Sequence, residues 1–220
     1  MSSNCYFEEH IENLCQNCSK ISSWALRTFH NRSKLVMLTL WKSLILSRID
    51  YCSQLWIPKN QSSLSKIENL QRNFTSYISG VSDLNYWERL HALKLYSIER
   101  RRERYVIIYM WKILEGLVQP FNPNFSHRNN LRLGRFINVP PIIHGNSAAI
   151  KNIIEKSLSI RGPKLFNKLP PHLRNMTNVT VNTFKAHLDR YLSTIPDQPS
   201  IPGYISQIVS ESKFPPKLQL

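Results

Sequence analysis

The chain has 220 residues, enough to bury a core as one large or two small domains, and 42% hydrophobic content with only 6 Gly excludes a disordered tail. It carries 29 Lys and Arg against 14 Asp and Glu, a net charge of +15, with no acidic residue between Glu12 and Asp50, Glu115 and Glu155, or Glu155 and Asp189. Like charges repel and weaken a compact state, so the surplus points to an external polyanion, most commonly nucleic-acid phosphate.

Phe7, Ile11, Leu14, Cys18, Ile21 and Ala25 recur at helical spacing and predict a first helix to about Phe29. After a polar break at residues 30–33, Leu35, Leu38, Trp41, Ile45, Ile49, Cys52 and Trp56 predict a second, more buried helix, capped by Ser33 and ended by Pro58. Leu64, Ile67, Leu70, Phe74 and Tyr77 mark a third, terminated by Gly80. A short fourth over Tyr86–Leu93 follows a cap at Asp83, and a long fifth runs from Ile98 to Leu117 after Ser97. The expected fold is mainly α, a bundle of about five helices over residues 1–118. A less regular basic extension over 119–195 and a Pro/Ser-rich tail over 196–220 follow. Within the extension, 120–126 reads as loop, and 128–143, through Arg132-Leu133 and Arg135-Phe136-Ile137, as extended or a small β element. Pro163–Leu169 predicts one or two helical turns stopped by Pro170-Pro171, and Val181–Leu192 a final helix with Phe184, Leu188 and Tyr191 on one face.

Met1–Asn13 shows no basic segment followed by an apolar run, so an intracellular chain, nuclear or cytoplasmic and not secreted, with reduced cysteines is expected. The most hydrophobic stretch, Leu35–Trp56, is broken by Lys42, Arg48 and Asp50 and reads as a buried helix, not a membrane span. Cys15-x-x-Cys18 near His10 lacks a second ligand pair, which Cys5 and Cys52 do not supply; both cysteines read as small core residues, and no metal or cofactor is expected. No phosphate-cradling Gly-rich loop, His-Glu-x-x-His or nucleophile elbow is present. The four aspartates, Asp50, Asp83, Asp189 and Asp197, include no adjacent pair, so no two-metal centre can be assembled; a non-catalytic chain without a small-molecule substrate is expected.

Two basic clusters remain. Arg100-Arg101-Arg102 and Arg104 can form a solvated helix face partly neutralised by Glu99 and Glu103, or a phosphate-tracking face on which Arg100 and Arg104 point the same way, with Lys112 further along. Arg161-Gly162-Pro163-Lys164, with Lys156, Lys168 and Arg174 close by, can be an ordinary loop-to-helix cap. It can also be a phosphate site, with Gly162 admitting the anion and Pro163 opening a helix whose N–H groups face it. Trp41, Trp56, Trp87 and Trp111 fall at core spacing, whereas Tyr105 and Tyr109 beside the arginine run are candidates for contact. The candidate nucleic-acid-binding residues are Arg89, Arg100, Arg101, Arg104, Lys112, Arg161 and Lys164.

Five segments, in order, resemble the C-terminal part of reverse transcriptases of non-LTR retrotransposons, the jockey-like LINE lineage. They are Phe7–Ile11 through Leu26–Phe29; Leu44–Trp56, with its Tyr51-Cys52-x-x-x-Trp56; and Lys66–Arg72. The fourth, Tyr86–Leu90 with Leu93–Arg102, continues into Tyr109–Gly116, and the last is Arg161–Pro170 with Thr183–Leu192. The resemblance implies a thumb and post-thumb region that holds an RNA–DNA or RNA duplex by its phosphates without reading sequence. The family's catalytic Asp-Asp motif and endonuclease domain lie upstream of the matching region, which implies a truncated, non-catalytic portion. A helical protein-interaction module or a non-functional element copy are the alternatives.

Overall fold

The computed structural model describes residues 7–56, 58, 61–120, 125–130, 134–141 and 148–197. Cys5, the Arg132-Leu133 pair and the expected tail from residue 198 onward lie outside them. The chain is mainly helical and forms two compact units. One holds the described residues up to Arg102 together with Asp197, the other those from Glu103 to Pro196. The division falls inside a helix, α6 (Ile98–Leu114), and not at the composition change near residue 118.

In the first unit α1 (Glu8–Thr28) places Glu8 and Glu9 in its first turn and Arg27 in its last, matching the helix dipole, and buries Ile11, Cys15, Cys18 and Ala25. α2 (Lys34–Leu40) continues without a break through a π-helical segment, Trp41–Leu46, into α3 (Ser47–Asp50). The expected helix to Trp56 therefore stops early, in a turn over residues 51–55 where Cys52 takes a positive φ of 50°. The buried face is Met37, Trp41, Ile45 and Ile49, one residue in four, as a locally widened turn requires. Leu35, which the regular helical period placed inside, is 79% exposed, and Cys52 is exposed. Ser33 precedes α2 without a side-chain cap bond.

α4 (Gln61–Thr75) packs on α1. It ends five residues before Gly80, where Thr75 Oγ donates back to the Gln71 carbonyl at 2.7 Å and i→i+3 bonds tighten the exit. Ile78, not the exposed Tyr77, completes its apolar face. α5 (Tyr86–Leu93) is capped by Asn85, not Asp83. The Asn85 side chain accepts from the Trp87 and Glu88 amides, and Glu88 accepts from the Asn85 amide in return. The first turn of α6 is held by carboxylates: Glu68 accepts from the Ile98 amide at 3.0 Å, and Asp197 from the Ser97 amide and hydroxyl at 2.6 and 2.8 Å.

In the second unit α6 ends at Leu114 rather than Leu117, because Gly116 (φ +70°) closes a Schellman turn with Leu117 N donating to the Lys112 carbonyl. An antiparallel hairpin follows, β1 (His127–Asn130) and β2 (Gly134–Ile137), pairing Arg128 with Phe136. Helices α7 (Ala148–Lys156), α8 (Leu158–Asn167), α9 (Pro171–Arg174) and α10 (Val181–Ser193) complete the unit. The free edge of β2 is covered by side chains: Asn167 donates to and accepts from the Ile137 backbone, and Asn175 accepts from Arg135 N at 2.9 Å. On α10 Phe184, Leu188 and Leu192 are buried, with Leu192 in the place expected for Tyr191. Pro163 does not open a helix. It is the sixth residue of α8, because the Arg161 amide already closes a helical turn onto Ser157 O at 2.8 Å.

Candidate nucleic-acid interface

The arginine run of α6 fans around the helix instead of forming one face. Arg100 is fully buried, with Nε 3.8 Å from Asp197. Arg101 grips Asp50 with two nitrogens, NH2 at 2.7 Å and Nε at 2.9 Å. Arg102 lies 3.9 Å over the Trp56 ring and donates to the Trp56 carbonyl. Arg104 holds Asp189 through Nε and NH2. Three of the four aspartates in the chain are taken up by this one helix. Arg89 is also buried; it donates to the Arg72 carbonyl at 3.3 Å, and desolvation lowers its pKa. The carboxylates beside Arg100, Arg101 and Arg104 offset the charge that burial would otherwise penalise.

Of the expected contact residues, Lys112 and Arg161 are half-buried and Lys164 is exposed. Arg161 lies 3.7 Å from the buried Glu103. On α8 the expected glycine-lined anion site is absent. Gly162 is buried, and a Cβ there would stand 2.6 Å from Met110 Sδ, so the glycine serves close packing and the backbone is not open to a phosphate. α8 and its C-cap instead present Arg161, Lys164 and Lys168 at three- and four-residue steps, flanked by the buried Ile160, Leu165, Phe166 and Leu169. From Glu103 to Pro196 thirteen Lys and Arg face four acids, Glu103, Glu115, Glu155 and Asp189. Three of those acids are engaged, with Arg161, Arg135 and Arg104. Lys151, Lys164, Lys168 and Arg190 are left exposed, and among the described residues none of them pairs with a carboxylate.

The aspartate partners escape sequence reading because they stand 51, 85 and 97 residues from the arginines they meet. The one available signal was their scarcity in a basic chain.

Cys15 and Cys18 lie on the buried face of α1, and among the described residues no three metal-ligating side chains converge. Burial pushes the Cys18 thiol up to about 11 and raises Cys15 as well, whereas Cys52 is exposed. Below its raised pKa a thiol stays protonated and unreactive, so at about pH 8 a Cys5→Ser variant is expected to react with Ellman's reagent at Cys52 alone until denaturant is added. A second fast thiol in the native state would contradict this placement. Among the described residues no helix is long and apolar enough to cross a membrane. Compared with known protein families, curated proteins and solved structures, the chain matches none.

Proposed function

We propose that the chain binds nucleic-acid duplex through backbone phosphates without reading sequence, as the non-catalytic thumb and post-thumb segments it resembles would do. One observation carries this reading: the second unit pairs three of its four acids internally and leaves the lysines of α8 facing water. Lys164 and Lys168, with Arg161 on the same stripe, span about 10 Å of helix and offer successive cations to a phosphate backbone. The engagement of Asp50, Asp189 and Asp197 with arginines supports a binding role over two-metal catalysis.

The test is the salt dependence of binding to a labelled RNA–DNA hybrid, followed by fluorescence anisotropy. The logarithm of affinity should fall linearly with log salt, and K164E/K168E should flatten that slope by about 1.8, equally for unrelated sequences. No binding at low salt, a flat salt plot, or an unchanged slope in the variant would each refute the duplex reading.

A further inference from the structure

The outward side of α1 carries a second, chemically different pattern. Asn13, Asn17, Lys20, Trp24 and Arg27 succeed one another at three- and four-residue steps, and all are exposed. They lie opposite the buried stripe of Ile11, Cys15, Cys18 and Ala25. Trp24 is 49% exposed, whereas Trp41, Trp56 and Trp111 are at most 2%. Its ring is held edge-on by Phe29, with centroids 6.0 Å apart and planes at 86°. The stripe lies within the acid-free stretch between Glu12 and Asp50, and among the described residues neither Lys20 nor Arg27 has a carboxylate partner. Beside it, a groove of about 530 Å³ between α1 and α4 is lined by Gln16, Lys20, Asn69 and Asn73, together with Leu70 and the ion-paired Glu12 and Lys66.

A half-exposed indole between two cations, next to side-chain amides, suits one ligand class best. Bases locked in a duplex do not offer their faces to a side chain, whereas unpaired bases stack on aromatics while cations follow the backbone. The apolar area is one aromatic pair, too small for a lipid surface or a helix-binding groove. We propose that this face of α1 binds single-stranded nucleic acid, with Trp24 stacking on a base, Lys20 and Arg27 meeting the flanking phosphates, and the groove amides available to base edges. The assignment does not rest on the duplex face of α8.

The experiment titrates the full chain and its variants with single-stranded (dT)12 and, in parallel, with an RNA–DNA hybrid. Trp24→Ala is expected to weaken (dT)12 binding roughly 5- to 150-fold, the equivalent of one lost stacked base, while Trp24→Phe keeps most of the affinity. The double variant K20Q/R27Q should reduce the single-strand salt slope by about 1.4. Hybrid binding should be unchanged in Trp24→Ala, and (dT)12 binding unchanged in K164E/K168E. Absence of (dT)12 binding, equal affinity of Trp24→Ala and the parent chain, or a parallel loss on hybrid and single strand would overturn the proposal.

Discussion

Glu115→Ala is expected to destabilise the second unit by about 3–5 kcal/mol, the cost of removing one member of a buried ion pair. The Glu115 and Arg135 side chains are only 12% and 9% exposed, and Oε1 lies 2.7 Å from Arg135 NH1. The other carboxylate oxygen accepts from the Asn178 amide at 3.0 Å. Arg135 also donates to the Met176 carbonyl and sits on the strand edge covered by Asn175. One carboxylate thereby ties the end of α6 to β2 and to the turn before α10. Its loss strands a guanidinium in a site with little water. The pair itself contributes less than this penalty, so the apolar double variant E115L/R135M should recover most of the loss. Urea midpoints at constant m-value decide it; a cost under about 1 kcal/mol for Glu115→Ala would mean that water reaches Arg135.

Trp111→Ala is expected to cost about 3–5 kcal/mol, and Trp111→Phe only about 1 kcal/mol. The indole is fully buried and stacks on Phe184 at 4.5 Å with planes 7° apart, while Nε1 donates to the Met176 carbonyl at 2.9 Å. Alanine empties the volume between α6 and α10, whereas phenylalanine forfeits mainly the hydrogen bond. The same denaturation series separates the two contributions. Equal losses for the two variants would assign the stability to the Met176 bond and not to packing.

Elements with local determinants are legible in the sequence. α5 is placed at Tyr86–Leu93 as the sequence predicts, although its cap is Asn85 and not Asp83. The second helix is misread where a π turn changes its period, since a regular spacing rule carries Leu35 inward and runs past Asp50. Sequence starts α8 too late because proline usually opens helices. The surface is harder to read, since composition counts Lys and Arg alike. Arg89, Arg100, Arg102, Arg135 and Arg174 are buried, and no lysine is buried among the described residues. A weakly hydrated, planar guanidinium can be paired inside a fold, whereas a compact ammonium stays in water. The exposed lysines, rather than the buried arginines, therefore face solvent.

The uneven use of charge has a consequence for how such a sequence can drift. A surface lysine of α8 has no structural partner to disappoint, so exchange there is neutral for the fold. Asp50, Asp189 and Glu115 each answer a particular arginine, and in the acid-free stretches no neighbouring carboxylate can take over. The chain therefore tolerates loss of its exposed lysines and resists loss of its rare acids. Sites kept for the fold would be the rare acids and the arginines that answer them, whereas the exposed lysines of α8 would be free to vary.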